Sequence, residues 1–269
     1  MLRLPAVAGQ FYPGNSRELT AAVQSFTTDE QAEEKVLVRA CLVPHAGYMY
    51  SGAVAGAVFS RIALTRKILL LGVRHYPRGE TLAILSEGTW RTPLGDAPID
   101  SGLAERLRTA CPALREDSEA HRREHSLEVE LPFLQVLDPG FSFVPVVVGT
   151  RRPEELKELG AGIARVLAES PEDILIVTSS DMNHYEDDET TRDKDQAAIA
   201  CLLKLDAAGL YEVCRDRRIT MCGLGPAVAM LTAMQLLGVK NAQLVRYATS
   251  GDVSGDRKTV VGYAGMTFG

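Results

Sequence analysis

Short apolar segments rich in β-branched residues alternate along the chain with longer segments in which apolar residues recur at helical spacing. Continuous apolar runs of this kind are typical of parallel strands with both faces covered. The alternation therefore predicts an α/β fold, with a mostly parallel or mixed central sheet flanked by helices. The predicted strands are Arg39–Val43, Lys67–Gly72, Leu82–Ser86, Phe143–Val148, Asp173–Thr178, Ala242–Ala248 and Thr259–Thr267.

Helices are predicted between these strands. Asn15 and Glu18 have the spacing of a capping box, which predicts a helix from there to Phe26. Further helices are predicted over Gly52–Ile62, Ser101–Ala110, Ser126–Leu137 with a disturbance at Pro132, Pro153–Glu169, Glu189–Leu205, Ala207–Arg217 and Pro226–Leu237. Because no Gly-, Ser- or Pro-rich linker divides the chain, residues 1–269 are expected to form a single domain.

The charge of the chain narrows the range of partners. The net charge is −6 and the sequence pI is about 5.5, without the basic stripe that nucleic-acid binding requires. No apolar run approaches the ~20 residues of a membrane span, and the first residues lack the apolar core of a signal peptide. We therefore expect a cytoplasmic protein that binds neither nucleic acid nor membranes, and the sequence is compatible with a monomer or an oligomer.

The cysteines do not suggest a stabilising framework. There are five, an odd number, and no two of them form a C-x-x-C pair, so neither disulfides nor a zinc ribbon is indicated. A chain of this length buries about three quarters of its unfolded surface without such help. Any metal ion is therefore expected to be functional.

Three histidines each follow a predicted strand closely, namely His45, His75 and His184. Ligands of open α/β sheets bind at the carboxyl ends of the strands, so these imidazoles are expected to meet in one cleft. Neutral imidazole is both a common metal ligand and a proton carrier near neutral pH. The alternative is a structural role for each histidine. However, the turn from Ser179 to His184 places two hydroxyls, the Asp181 carboxylate and an imidazole close together in sequence, which favours a functional site.

Cys222 directly precedes a predicted helix, where the positive end of the helix favours a thiolate that can bind metal or act as a nucleophile. A buried, inert thiol is the alternative, and it suits Cys41, Cys201 and Cys214. The Gly223-Leu224-Gly225 sequence lacks the third glycine and the preceding strand of a dinucleotide-binding loop, so that interpretation is rejected.

The segment His121-Arg122-Arg123-Glu124-His125 matches the H-x-x-E-H motif of inverted zinc peptidases. Its polar surroundings and the helix predicted from Ser126 argue against one continuous helix carrying both imidazoles. We therefore expect His121 to make a loop hydrogen bond and His125 to serve as an acid–base or substrate-binding group.

Five ordered motifs together resemble the Memo family, protein B of the AmmeMemoRadiSam system. They span nearly the whole chain and comprise Ala6-Val7-Ala8-Gly9-Gln10-Phe11-Tyr12-Pro13, Pro44-His45-Ala46-Gly47-Tyr48 with Tyr50-Ser51-Gly52, Glu124-His125-Ser126-Leu127-Glu128 with Leu131-Pro132-Phe133, Ser179-Ser180-Asp181 with His184-Tyr185, and Cys222-Gly223 with Pro226. That family is similar in fold to the class III extradiol dioxygenases, which are non-haem iron enzymes.

The resemblance implies that His45, His75 and Cys222 are metal ligands and that His125, Asp181 and His184 line the same cavity. In this interpretation His184, oriented by Asp181, moves protons, and His125 is a second catalytic group. One departure is Arg74, which stands before His75 where the family usually has a small polar residue. Another is that the dioxygenases have a carboxylate where this chain has a soft thiol.

Three functions follow as hypotheses. The first is a mononuclear, dioxygenase-like redox enzyme using Fe(II), with Zn or Cu as alternatives, acting on a small substrate such as an aromatic molecule. The second is a metal-dependent hydrolase. The third is a non-catalytic protein that binds a peptide or phosphotyrosine in the same cavity, as the resemblance implies for eukaryotic relatives. Tyr48, Tyr50 and Arg74 are the expected substrate contacts, with simple packing as the alternative for the two tyrosines.

Overall fold

The strands are short and their central members are almost wholly apolar, in a computed structural model that describes residues 1–28 and 35–269. In chain order they are β1 (Leu2–Arg3), β2 (Ala40–Val43), β3 (Lys67–Val73), β4 (Leu82–Ile84), β5 (Thr89–Thr92), β6 (Gly95–Pro98), β7 (Arg115–Glu116), β8 (Ser142–Val148), β9 (Ile174–Ser179), β10 (His184–Glu186), β11 (Ala242–Thr249) and β12 (Val260–Phe268).

Four parallel strands form the centre of the main sheet, in the spatial order β2-β9-β3-β8. On one side of them β12 runs antiparallel to β2 and pairs with β10 and β11. On the other side β4 runs antiparallel to β8 and is followed by β7. Strands β1, β5 and β6 form a separate small sheet. All four central strands therefore end at the same edge of a mixed sheet.

Helices cover both faces of the main sheet. They are α1 (Ser16–Thr27), α2 (Tyr48–Arg61), α3 (Ser101–Ala110), α4 (Ser118–Arg122), α5 (Leu131–Leu137), α6 (Pro153–Ala168), α7 (Asp188–Leu203), α8 (Ala207–Asp216), α9 (Leu224–Leu236) and α10 (Gly251–Ser254). Alternate residues of a strand point to opposite faces. Accordingly Leu42 of β2 joins a core with α3 and α6 to α9, whereas Val43 joins a core with α1, α2 and α5.

The predicted α/β class is confirmed, and every predicted strand is present with its ends moved by two residues or fewer. The strands that the sequence did not predict are β1, β5, β6, β7 and β10, which are too short to give an apolar run. The predicted helix over Ser126–Leu137 is wrong as one element. A 3-10 turn spans Glu128–Glu130, and α5 begins at Leu131 with Pro132 in its first turn, where the missing N–H costs no hydrogen bond.

The first residues of two helices, α2 and α1, can be compared with the prediction. The predicted helix over Gly52–Ile62 begins earlier, at Tyr48, directly after the loop that carries His45. The predicted cap at Asn15 is confirmed, since its side chain accepts a hydrogen bond from the Glu18 amide at 2.9 Å. Across residues 1–28 and 35–269, every helix falls short of the length and apolar character needed to cross a bilayer.

Candidate metal centre

A cavity of about 660 Å³ opens at the carboxyl edge of the parallel strands. His45 follows β2, Asp181 follows β9 and His75 follows β3, so three neighbouring strands direct side chains to it, as ligand sites in open α/β sheets generally require. The residues that line the cavity are Phe11, His45, Ala46, Gly47, His75, His125, Arg151, Asp181, His184, Tyr185, Thr220, Cys222 and Val261.

Three imidazoles meet in this cavity. One ring nitrogen from each of His45, His75 and His125 lies within 4.8 Å of the others. The rings of His75 and His125 are stacked with centroids 4.5 Å apart, and His45 meets both edge-on. Burial lowers the pKa of His45 to about 3 and that of His125 to about 4, so both imidazoles are neutral at pH 7 and available as ligands.

The His45 ring is held from behind by Ser179. Its Nδ1 lies 2.7 Å from Ser179 Oγ, which in turn lies 2.7 Å from the Ser126 carbonyl oxygen and 2.9 Å from Glu130 Oε1. Complete burial raises the pKa of Glu130 well above its usual range. The Ser179 hydroxyl can accept a hydrogen bond from His45 Nδ1 while it donates to the Ser126 carbonyl oxygen or to Glu130 Oε1. Nε2 of His45 is left with its lone pair toward the cavity.

The His75 ring is held by a buried carboxylate. Glu124 Oε1 accepts hydrogen bonds from His75 Nδ1 at 2.8 Å and from the Ser126 amide at 2.9 Å, and Oε2 accepts from the His75 amide at 2.7 Å. Burial alone would raise the pKa of Glu124, but the hydrogen bond and charge of His75 and the Ser126 amide outweigh it and lower the pKa to about 2. This is the carboxylate–histidine pairing that usually stands behind metal-binding imidazoles.

His125 reaches the cavity because its segment crosses the end of β3 at close range. A Cβ atom at Gly72 would lie 2.6 Å from Ser126 Oγ and 2.7 Å from Leu127, so only glycine admits this crossing. Ser126 Oγ also accepts the Val73 amide at 3.1 Å. The Nδ1 atom of His125 is buried and has no hydrogen-bond partner among the described residues. The nearest charged atom to this nitrogen is Oε1 of Glu124, at 3.8 Å, which is longer than a hydrogen bond.

The N-terminal segment completes one wall of the cavity. Phe11 packs on the His125 ring with centroids 4.7 Å apart. The segment is anchored by the buried Glu128 carboxylate, which accepts hydrogen bonds from the Arg3 guanidinium, the Tyr12 hydroxyl and two backbone amides, including that of Val7. The chain near Phe11 and the chain near His125 are thus tied together through one side chain.

Cys222 lies just before α9, where the sequence predicts it, and beside His45, as the family resemblance implies. Its Sγ atom is 3.4 Å from His45 Nε2 and accepts the Asp181 amide at 3.2 Å. A Cβ atom at Gly223 would lie 2.3 Å from Ser180 Cβ, so this glycine allows the close approach. Cys222 lies outside the group of three imidazoles. Burial raises the pKa of its thiol, which therefore stays protonated unless a cation lies next to it.

Asp181 and His184 both line the cavity, but they are not hydrogen-bonded to each other. Asp181 Oδ1 accepts the amides of His45 at 2.9 Å and Ala46 at 3.3 Å, so this carboxyl fixes the loop after β2. The Nδ1 atom of His184 is buried without a partner among the described residues. The next residue, Tyr185, has a positive φ of 62° and is 75 % exposed at the cavity.

The three predicted substrate contacts lie outside the cavity lining. Tyr48 is buried, and its hydroxyl donates to the Val129 carbonyl at 2.8 Å. Tyr50 lies with Tyr48 along a neighbouring groove. The Arg74 guanidinium donates to the carbonyl oxygens of Arg78 and Gly79 in its own loop. Arg74 therefore folds back onto its own loop, although it precedes His75 in the sequence.

His121 is also separate from the site. Its Nδ1 lies 2.8 Å from the carbonyl oxygen of Asp117, the N-cap of α4, and its ring meets Trp90 edge-on. The expected hydrogen bond is present, but His121 makes it from a helix and not from a loop. Only His121 of the H-x-x-E-H pair lies in a helix, because α4 ends at Arg122. The peptidase motif is thus a coincidence of sequence.

Several cavity residues were not identified from the sequence, among them Phe11, Arg151, Tyr185 and Thr220. Arg151 follows β8, so the rule that identified His45 and His75 could have found it. Phe11 comes from a distant segment with no local signal of its contact.

The family model and the curated relatives match nearly the whole chain. The family model described as Memo-like protein matches residues 3–267. A MEMO1 family protein of Aquifex aeolicus is 41 % identical over 268 residues, with 99 % of each chain covered, and one of Methanopyrus kandleri is 38 % identical, covering 100 % of this chain and 99 % of its own. A solved structure of an uncharacterized protein from Escherichia coli K12 has a TM-score of 0.57 at 14 % identity. It covers 86 % of this chain and 99 % of its own, and it supports the fold alone.

Proposed function

The chain belongs to the Memo family, and we propose that it is an enzyme that binds one transition-metal ion at the carboxyl edge of its sheet and carries out a redox reaction there. The observation that carries this proposal is the meeting of three imidazole nitrogens within 4.8 Å in a cavity of about 660 Å³. Fe(II) is the expected ion and Zn or Cu are the alternatives, since imidazole suits all three.

The residues present fit such an ion. His45 and His75 each have Nδ1 engaged, by Ser179 and by Glu124, so that Nε2 is the nitrogen left for a metal. The third donor is either an imidazole nitrogen of His125 or the thiol of Cys222 beside His45. Both ligand sets share His45 and His75.

When bound, the ion would supply Lewis acidity and, in the case of iron or copper, electrons. The chain supplies the rest. His184 lines the cavity, and its buried Nδ1 has no hydrogen-bond partner among the described residues, so this imidazole is the group that we assign to take up or return a proton. Asp181 keeps the His45 loop in place, and Phe11 and Tyr185 offer aromatic surface to a small substrate.

Anaerobic purification followed by elemental analysis and oxygen-uptake assays with catechol and other small phenols tests the proposal. We expect about one equivalent of iron after reconstitution with Fe(II), and substrate-dependent oxygen consumption. Activity that persists with Zn²⁺ in the absence of oxygen would instead favour a hydrolase. Absence of stoichiometric metal in the wild-type protein would refute the metal centre itself.

A cobalt-substituted sample identifies the third ligand. A thiolate-to-cobalt absorption band that disappears in Cys222→Ser would assign the sulfur. Lack of such a band, with cobalt lost in His125→Gln, would assign the third imidazole. In either case His45→Gln should release the ion, because both ligand sets contain this residue.

A further inference from the structure

Arg151 is one of the residues that line the metal cavity. It lies in the loop after β8, next to β3, whose end carries His75. The Tyr211 hydroxyl donates to the Arg151 carbonyl oxygen at 2.8 Å and the Thr150 hydroxyl accepts the Arg152 amide at 3.2 Å, so the backbone here is fixed from both sides. Arg151 thus stands at the same sheet edge as the three imidazoles.

The Arg151 side chain has no hydrogen bond, ion pair or ring contact with any residue that the structure describes. Its neighbour is different, because Arg152 pairs with Glu155 at 2.5 Å and does not line the cavity. Arg151 is also the one Lys or Arg side chain among the described residues that lines this cavity. A guanidinium has donors arranged to bind an oxyanion through two parallel hydrogen bonds.

We infer that Arg151 is a specificity residue that binds the carboxylate of a small substrate held in the metal cavity. A single guanidinium matches the single charge and the planar fork of a carboxylate. A phosphate dianion would leave about one negative charge without a partner. The inference rests on the proposed function for its catalytic meaning and names the substrate class, an organic acid with an apolar or aromatic body that can lie against Phe11 and Tyr185.

Titration calorimetry of the metal-free and the metal-loaded full-length protein with benzoate, benzamide and phenyl phosphate tests this inference. Benzoate and benzamide have nearly the same shape and differ in charge. We expect wild-type protein to bind benzoate at least about tenfold more tightly than benzamide, in line with the strength of charge-assisted hydrogen bonds. The preference should disappear in Arg151→Met, remain in part in Arg151→Lys and be unchanged in Arg152→Met.

Four results would overturn the inference. They are equal binding of benzoate and benzamide by wild-type protein, no measurable binding of benzoate, an unchanged preference in Arg151→Met, and tighter binding of phenyl phosphate than of benzoate. Metal content, measured separately on the same samples, distinguishes this failure from failure of the proposed function. Arg151→Met should retain full metal, whereas a wild-type protein that prefers benzoate but binds no metal would refute the metal centre alone.

Discussion

Replacing Glu124 by Gln would test how far the metal centre depends on the group behind His75. The carboxylate accepts three hydrogen bonds, two from His75 and one from Ser126, and its side chain is 1 % exposed. Gln has one acceptor oxygen instead of two. If that oxygen keeps the bonds to His75 Nδ1 and Ser126, the amide NH₂ faces the His75 backbone N–H, and a donor meets a donor.

Two magnitudes follow from this geometry. A buried donor left without an acceptor costs about 1–3 kcal/mol, so the free energy of unfolding should fall by roughly that amount. Loss of the group that orients a metal-binding imidazole typically lowers metal affinity by about 10- to 100-fold, which is about 1.4–2.8 kcal/mol. We therefore expect Glu124→Gln to be folded, less stable and markedly weaker in binding Fe(II) or Zn²⁺.

The effect on stability should also depend on pH in one direction. The folded pKa of Glu124, near 2, lies below its ordinary value of 4.5, so the stabilising contribution is complete above pH 4.5 and is lost as pH falls through 2. The difference of about 2.5 pH units corresponds to about 3 kcal/mol. The stability gap between wild-type protein and Glu124→Gln should therefore narrow on acidification.

Chelator-competition titrations and urea unfolding at several pH values measure these quantities. Glu119→Gln is the matched control, because Glu119 is an exposed carboxylate nearby and its one ion pair with a described residue is to Arg122 in its own helix. It should change neither metal affinity nor stability by more than about 0.5 kcal/mol. Unaltered metal affinity in Glu124→Gln would refute the role assigned to the pair of Glu124 and His75.

Three further predictions concern other parts of the site. His45→Ala should abolish stoichiometric metal binding in elemental analysis, and full metal content would contradict its assignment as a ligand. Gly72→Ala should lower the free energy of unfolding by about 1–3 kcal/mol in urea, because the new methyl group meets Ser126 and Leu127, whereas Gly102→Ala, with its nearest contact at 3.5 Å, should not destabilise. Tyr185→Gly should be about 1 kcal/mol more stable than Tyr185→Ala, since only glycine adopts a φ of 62° without strain, and equal stabilities would argue against that backbone strain.

The sequence predicted the parts of the molecule whose signals are local. The central strands are continuous apolar runs, and His45 and His75 follow two of them closely, so one rule located both the sheet and part of the cavity. His184, the third histidine to which the rule was applied, lines the cavity from β10 and not from the end of a central strand. The short strand β10 carries no such run and was missed.

Contacts between distant segments could not be predicted from such local sequence signals. The place of His125 beside His75 depends on close packing at Gly72, some fifty residues earlier. The sequence around Gly72 and the sequence around His125 carry no signal of this contact. Arg74 was predicted as a substrate contact because it is next to His75 in the sequence, but it lies outside the cavity lining. Its position next to His75 suggested a shared site, but neighbouring residues of an extended chain point in different directions, and its guanidinium satisfies carbonyl groups of its own loop.

The Glu128 anchor has a consequence for local unfolding. If the N-terminal segment detached, the Glu128 carboxylate would lose its hydrogen bonds from the Arg3 and Tyr12 side chains and from the amides of Ala6 and Val7 together. Phe11 would also leave the His125 ring. We therefore expect the N-terminal segment and the chain between His125 and Glu128 to open and close as one cooperative unit. We expect deuterium uptake at the Val7 amide, which is not part of the cavity lining, to report the opening of the wall that Phe11 forms.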